Sequence, residues 1–420
     1  MSEIKNVTER TNFYMGHTPE ELVEKYGSPL YVYNENILRE KINDMKNLVS
    51  YENFVVNYSA KANSSLAILE IANDEGVHID AMSPGEIFIE LKAGFKPEDI
   101  FYISNNVSSK EMQYAIDNDI IISVDSISQL EQYGKLNPNG KIAARFNGGV
   151  GAGHHEKVIT AGKNTKFGVD PLEMDKFKAV LEKYKLNLVG INQHIGSLFM
   201  EGNKYVEGAK AILSIAKEFD NLEFIDLGGG FGISYTKLSP DYKTLDLKEL
   251  GEQLNTLLVN FSEEYGKKVM FKIEPGRYIA AECGVLLGNV HAVKNNGVKK
   301  YVGTDLGFNV LARPVMYDSH HDIEVYSKDK NSEVELEEVS VVGNICETGD
   351  IIANNRVLPK IKEGDIIGVL DAGAYGHVMS SNYNNRLRPA EVLINSKGED
   401  VLIRKRDTLE DIVKNYISIR

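Results

Sequence analysis

Short runs of β-branched and aromatic residues recur regularly between residues 54 and 274, and this regularity constrains the fold most. The runs are 54–59, 77–81, 100–104, 120–124, 142–146, 188–194, 224–227 and 269–274. Such compact apolar runs are typical of strands buried on both faces. Helical spacing of apolar residues separates most of them, as in 64–73, 84–93 and 204–219. Eight strand–helix units favour a (β/α)8 barrel over a doubly wound sheet, although periodicity alone leaves both open.

A different pattern follows residue 280, where strand-like runs occur with little helical spacing. These runs are 285–293, 301–304, 333–342, 366–370, 390–394 and 401–404, and a short closing helix is predicted at 408–417. We therefore predict two domains. A barrel covers residues 25–280, and an all-β domain covers residues 281–420 together with 1–24 and contributes to the active site.

The composition limits the possible partners. The 420 residues include 61 acidic and 47 basic side chains, and the net charge of −14 disfavours nucleic-acid binding. No apolar run reaches the length of a membrane span, and the polar start lacks the apolar stretch of a signal peptide. Only two cysteines occur, which fits a reducing compartment. A cytoplasmic enzyme without membrane or nucleic-acid partners is predicted.

Chemically active residues stand where four of the predicted barrel strands end. Lys61 follows the first strand, His194 ends the sixth, a glycine run at 228–232 follows the seventh, and Glu274 ends the eighth. Barrel enzymes keep their active sites at this end of the strands. We therefore expect these residues to meet at one rim.

These residue types suit one cofactor in particular. The glycines can surround a phosphate with backbone N–H groups, but Ile233 stands where a dinucleotide fingerprint needs glycine. Lys61 can form an imine with an aldehyde, and a buried Glu274 needs a cationic partner, either Arg277 or a protonated pyridine nitrogen. Taken singly, Lys61 could be a solvated surface lysine and the glycine run a flexible turn. The lysine, the glycine run and the carboxylate together favour pyridoxal 5'-phosphate.

Six motifs, in this order and spacing, resemble the fold-type III pyridoxal phosphate decarboxylases: YSAKAN, HIGS, GGGFG, EPGR, CETGD and GAYG. Within that group the chain is most similar to the diaminopimelate decarboxylases, from about residue 25 to the end. The resemblance implies a (β/α)8 barrel followed by a β domain. It also implies decarboxylation of meso-diaminopimelate to L-lysine and CO2, the last step of lysine biosynthesis.

The resemblance assigns the cofactor site residue by residue. Lys61 would hold the cofactor through an imine, His194 would stack on its ring, and Glu274 would keep its nitrogen protonated; Arg145 would lie close to the ring. The cofactor-binding set is Lys61, His194, Ser197, Gly228, Gly229, Gly230, Glu274, Gly276, Arg277 and Tyr375. The catalytic set is Lys61, Cys346, His194 and Glu274.

The resemblance also implies a homodimer with shared active sites. Cys346, in a motif where threonine replaces the usual serine, would enter the partner's site and help protonate the carbanion. Substrate binding falls to Arg277, Arg313, Tyr317, Glu347 and Tyr375. Two arginines suit a distal carboxylate and favour the dicarboxylic substrate over ornithine.

Two alternative functions remain open. One is a related decarboxylase that acts on ornithine, a D-amino acid or a carboxylated polyamine, and the other is a catalytically inactive regulatory relative that binds the cofactor.

The sequence departs from the family at two places. Leu198 stands where many relatives have glutamine, and the long segment 148–166 suggests a mobile active-site loop. The histidine pairs 154–155 and 320–321 lack the carboxylate or cysteine cluster of a metal site, so no metal is predicted.

Overall fold

The computed structural model describes residues 6–149, 151–153, 165–327 and 335–419. Its strands are β1 (Leu30–Asn34), β2 (Phe54–Ser59), β3 (His78–Ala81), β4 (Ile100–Ile103), β5 (Ile121–Val124), β6 (Lys141–Arg145), β7 (Ala152–Gly153), β8 (Asn187–Asn192), β9 (Gly196–Ser197), β10 (Phe224–Gly229), β11 (Met270–Glu274), β12 (Gly284–Asn296), β13 (Lys299–Thr304), β14 (Ile323–Tyr326), β15 (Leu336–Val342), β16 (Ile351–Pro359), β17 (Ile366–Val369), β18 (Ala390–Ile394) and β19 (Asp400–Arg404).

The helices alternate with the strands over the first part of the chain and are sparse after it. They are α1 (Val7–Arg10), α2 (Pro19–Tyr26), α3 (Glu35–Lys46), α4 (Leu66–Asp74), α5 (Pro84–Lys92), α6 (Ser109–Asp117), α7 (Ile127–Leu136), α8 (Met174–Tyr184), α9 (Asn203–Ala216), α10 (Leu247–Tyr265), α11 (Arg277–Ala280), α12 (Arg313–Tyr317) and α13 (Leu409–Val413).

The first eight predicted strands form a closed parallel barrel. They correspond to β2, β3, β4, β5, β6, β8, β10 and β11, and the sheet closes because β11 pairs with β2 and β10 with β8. The predicted barrel is therefore confirmed and the doubly wound alternative is excluded. Because all eight strands run the same way, the residues that follow them meet at one rim.

Local signals place the helices of the barrel. The predicted helix at 84–93 is α5, which has Pro84 at its first position and Ser83 as its N-cap, with the Ser83 side chain accepting the Glu86 N–H at 3.2 Å. The predicted helices at 64–73 and 204–219 are α4 and α9, with their ends shifted by a few residues. Caps and apolar spacing together explain why these segments are helical.

Apolar side chains fill part of the barrel interior. The rings of Phe101 on β4 and Phe224 on β10 lie 5.1 Å apart, edge to face. Three strands separate β4 from β10 in the barrel order, so this contact crosses the interior. Ile103, Ala143 and Val189 pack with these rings in a buried cluster. The interior is packed, and it also holds polar side chains: the amine of the buried Lys272 on β11 lies over both rings, at 5.5 and 4.7 Å.

The chain divides into two compact units. The barrel lies in residues 39–233 and 243–279, and the second unit comprises residues 1–38, 234–242 and 280–420. The second unit contains a mixed sheet in the order β16-β15-β13-β12-β1-β18-β19, with β17 pairing with β12 and β14. All six strands predicted after residue 280 are present. Residues 333–334 of the third one lie outside the described residues, and β1, β14 and β16 were not predicted.

No helix within the described ranges is both long enough and apolar enough to cross a lipid bilayer. Most of the predicted active-site loop at 148–166, including His154 and His155, lies outside the described residues. The predicted closing helix is α13, which is shorter than the predicted 408–417.

Candidate active site

Lys61 lies on a tight turn directly after β2. A 3-10 turn spans Ala60–Ala62, with both alanines buried and Lys61 partly buried. The backbone N–H of Ser59 donates to the carbonyl of Pro275 at 3.3 Å, so this turn lies against the segment after β11. Gly276 permits the approach, because a Cβ there would come within 2.9 Å of the Ser59 Cβ. Lys61 and Glu274 therefore reach the same part of the rim, as predicted.

Glu274 is buried and faces His194. Its Oε2 lies 3.3 Å from Nδ1 of His194, and only 2% of Glu274 is exposed. Burial alone would raise the pKa of Glu274. The hydrogen bond with His194 and the positive charges of Lys61 and Arg145 outweigh burial and hold this pKa below its usual value. Glu274 is therefore a carboxylate at neutral pH.

The second carboxylate oxygen of Glu274 is buried, and no N–H or hydroxyl group of the described residues donates to it. The carboxyl group of Asp226 lies beside Glu274, and burial and the charge of Glu274 raise the pKa of Asp226 well above its usual value. A buried anionic oxygen is costly without a donor, and a bound molecule can supply one. A protonated pyridine nitrogen is such a donor.

The glycine run after β10 is a backbone cradle. Gly228 and Gly230 have φ of +78° and +110°, which side-chain-bearing residues rarely adopt. The N–H of Gly228 donates to Oδ1 of Asp226 at 2.8 Å and tightens the turn. A Cβ at Gly229 would overlap the carbonyl oxygen of Glu274. Glycine is required here because the loop packs directly against β11, and the N–H of Gly229 donates to Nδ1 of His194 at 3.3 Å.

Arg277 contacts Ser197 at the same rim. The sequence suggested Arg277 as a partner for Glu274, but its Nη2 donates to Oγ of Ser197 at 2.9 Å, and the observed partner of Glu274 is His194. Leu198, the departure noted in the sequence, has φ of +63°. A branched side chain in this left-handed region stores strain, which is frequent beside functional sites.

Arg145 is buried near the same carboxylate. Its Nη2 lies 3.5 Å from the carbonyl of His194, and its guanidinium lies over the ring of Phe167 at 4.5 Å. Burial lowers the pKa of Arg145, and the charges of Glu274 and Asp125 partly offset this. Arg145 thus adds to the positive field that keeps Glu274 ionised.

Asp80 is a buried acid of the site that the sequence analysis missed. It stands near the end of β3 and accepts a hydrogen bond of 2.7 Å from Oγ of Ser59. Burial, together with the charge of Glu274, raises the pKa of Asp80 to about 8 against the opposing effect of Lys61. Two neighbouring acids therefore differ in charge at neutral pH. A survey of all eight strand ends would have found Asp80.

Glu90 is buried on α5 with neither carboxyl oxygen hydrogen-bonded within the described part of the chain. Burial, with smaller contributions from Asp80 and Glu86, raises its pKa to about 10. At pH values between the pKa of Glu90 in the unfolded chain and its pKa in the folded chain, only the folded chain keeps the carboxyl proton of Glu90. The free energy of unfolding therefore falls as the pH rises.

We expect Glu90→Gln to stabilise the protein increasingly with pH. The difference in free energy of unfolding between variant and parent should grow by up to about 1.4 kcal/mol for each pH unit between pH 5 and 8. Urea denaturation at these two pH values measures it. Glu70→Gln, at an exposed position of α4, is the control and should show no such growth. A pH-independent difference for Glu90→Gln would contradict a protonated Glu90.

The remaining predicted site residues lie in the second unit. Cys346 is exposed, its N–H donates to Oδ1 of Asn384 at 3.0 Å, and Nδ2 of Asn384 lies 3.1 Å from its Sγ. Oε1 of Glu347 accepts from the hydroxyl of Tyr383 at 2.7 Å. Tyr375 has φ of +55°, a strained value for a bulky residue. Their role in the active site stays a prediction.

Arg313 and Tyr317 begin and end α12, so they are one helical turn apart. Arg313 is only 1% exposed and is therefore a buried cation. Within the described residues, no cluster of three histidine, cysteine or acidic side chains has the arrangement of a metal site.

Comparison with known proteins agrees with this geometry. Residues 35–281 match the model of the pyridoxal-dependent decarboxylases, pyridoxal binding domain. Diaminopimelate decarboxylase of Methanothermobacter thermautotrophicus is 41% identical over 94% of this chain and 92% of that protein. The chain belongs to the diaminopimelate decarboxylase family. The family member of Aquifex aeolicus is 35% identical over 97% of this chain and 96% of its own length.

A solved structure of the family gives the same fold. Diaminopimelate decarboxylase from Helicobacter pylori, complexed with L-lysine, superposes with a TM-score of 0.85. It is 30% identical, and the match covers 94% of this chain and 98% of that one. The predicted membership of the fold-type III decarboxylases and the predicted fold class are both confirmed.

Proposed function

We propose that this protein decarboxylates meso-diaminopimelate to L-lysine and CO2 with pyridoxal 5'-phosphate. The observation that carries the proposal is the buried, ionised Glu274, with one oxygen that accepts from no N–H or hydroxyl group of the described residues, at the same rim as Lys61 and the glycine cradle. When bound, the cofactor supplies an aldehyde that reacts with amines and a ring that withdraws electrons. The identity of 41% to a diaminopimelate decarboxylase over nearly the whole chain supports the same activity.

Each barrel residue has a task that its position suits. Lys61 Nζ would tether the cofactor at the rim. Glu274 would hold a proton on the ring nitrogen, and its hydrogen bond orients His194 beside it. The backbone N–H groups of the glycine cradle, assisted by Gly276 and by the hydroxyl of Ser197, bind the phosphate.

The second unit carries further residues that this proposal assigns to the substrate. The resemblance assigns Arg277, Arg313 and Tyr317 to the distal carboxylate and Glu347 to the distal ammonium. Cys346 of the partner subunit donates a proton, and Tyr375 contacts cofactor and substrate. The exposure of Cys346 and the strained backbone of Tyr375 suit groups that face a bound molecule. Shared active sites imply a homodimer. The presence of only two cysteines fits the reducing cytoplasm.

A substrate panel tests the proposal. We expect the purified holoenzyme to release CO2 and L-lysine from meso-diaminopimelate with a kcat/KM at least about 10³-fold above that for ornithine, because ornithine leaves a buried arginine without its carboxylate. Removal of pyridoxal phosphate should abolish turnover, and its return should restore it. Equal turnover of ornithine, or preference for a D-amino acid or a carboxylated polyamine, would assign the protein to the alternatives. A protein that binds the cofactor and turns over none of them would be the regulatory relative.

A further inference from the structure

Arg313 is enclosed by three groups of its own unit. Its Nη1 lies 2.6 Å from Nε2 of His321, and its Nη2 donates to Oγ of Ser319 at 3.4 Å. Its guanidinium lies over the ring of Tyr235 at 4.5 Å. A planar cation held on its face and at its edge has little freedom to rotate.

The contacts of the two ring nitrogens of His321 determine which of them carries a proton. Its Nδ1 lies 2.7 Å from the carbonyl oxygen of Leu370, and a carbonyl can only accept, so Nδ1 carries a proton. Nε2 faces the N–H of Arg313, which can only donate, so Nε2 carries none. His321 is thus a neutral imidazole with one fixed tautomer. It is 1% exposed, and the ring of Tyr235 packs edge-on against it at 5.0 Å.

We infer that His321 is a positioning residue that aims the guanidinium of Arg313 at the distal carboxylate of the substrate; this inference rests on the proposed function. A neutral acceptor is suited to the task. A carboxylate in the place of His321 would also orient Arg313, but it would neutralise the charge that the substrate carboxylate needs. The backbone carbonyl of Leu370, the residue directly after β17, anchors the imidazole, so its orientation is set by the main chain and not by a mobile side chain.

Two variants separate the two contacts of His321. The amide of His321→Gln can reach the Nε2 position and still accept from Arg313. The amide of His321→Asn reaches only the Nδ1 position, so it keeps the contact with Leu370 and loses the one with Arg313. His320 is the matched control, because it is the adjacent histidine and contacts Asp322 and Arg356 instead.

Steady-state kinetics with meso-diaminopimelate gives the main result. We expect His321→Asn to raise KM by about 10- to 100-fold and to leave kcat within a few-fold of the parent value. A rise of this size in KM is the loss of substrate affinity expected when one charge-assisted contact is removed. His321→Gln should recover most of this loss, and His320→Asn should resemble the parent. Competitive inhibition adds a specificity readout. L-lysine keeps the distal carboxylate and should inhibit His321→Asn more weakly, whereas cadaverine lacks it and should inhibit parent and variant alike.

The tautomer is measured separately, by 15N NMR of the histidine side chains in the holoenzyme. A protonated Nδ1 and a bare Nε2 on His321 support the inference, and the opposite tautomer or an imidazolium overturns it. Equal KM values for His321→Asn and His320→Asn, or a fall in kcat alone, also overturn it. If the parent does not decarboxylate meso-diaminopimelate, the proposed function fails, and the tautomer still decides whether His321 orients Arg313.

Discussion

Replacing Lys61 with alanine is expected to lower kcat for meso-diaminopimelate by about 10³-fold or more, which is the size of effect that a positioned proton-transfer group can carry. The physical reason is the placement of Lys61 at the rim beside the segment of Glu274, where, in the proposed function, its amine would tether the cofactor. The bound cofactor should also lose its covalent attachment. Single-turnover assays and the absorbance of the cofactor measure the two effects.

Lys141 provides the matched control for this variant. It starts β6 at the other end of a barrel strand, is exposed, and pairs with Glu223 at 2.9 Å. Lys141→Ala should retain full activity. The Lys61→Ala chain should also regain activity when mixed with a Cys346→Ala chain, because one site of the mixed dimer then has both residues. Mixtures that stay inactive after confirmed subunit exchange would contradict shared sites.

Replacing Glu274 with glutamine is expected to lower kcat by about 10²- to 10³-fold while the bound cofactor is retained. Glutamine has the shape of glutamate, so the packing against the glycine cradle persists. It has no charge, so nothing holds a proton on the ring nitrogen and the ring withdraws electrons less strongly. The pH dependence of kcat and the absorbance of the cofactor report this change.

Asp80 offers a sharp comparison with Glu274. Its pKa of about 8 leaves it mostly protonated at neutral pH, so Asp80→Asn replaces a neutral group with another neutral group. We expect kcat to change by less than about 10-fold in this variant at pH 7. If Asp80→Asn and Glu274→Gln were equally impaired, the charge of Glu274 would not be the deciding property.

The barrel was predictable because its strands carry local signals. Strand β4, for example, is buried along its whole length, and its residues IFYI form a short continuous apolar run. The missed strand β16 lacks that pattern. Asn354, Asn355 and Arg356 interrupt the apolar residues of β16. The five-residue strand β1 pairs with β12 and β18, both more than 200 residues away, and such pairing leaves no local trace.

The site was predictable where chemistry follows directly on a strand. Lys61, His194 and Glu274 stand at strand ends, and the structure brings them to one rim. The partners of these residues depend on contacts distant in sequence and could not be inferred. Glu274 contacts His194 across the glycine cradle of β10, whereas Arg277 donates to Ser197. The histidine pair at 320–321 was considered only as a metal site, and its contact with Arg313 emerged from the fold.

Borohydride reduction of the holoenzyme, followed by peptide mapping, tests the central claim most directly. Reduction makes the link between cofactor and lysine permanent, so the modified peptide identifies the residue that carries the cofactor. We expect a phosphopyridoxyl group on Lys61 and on no other lysine. A label on a different lysine, or a cofactor that washes away after reduction, would contradict this expectation.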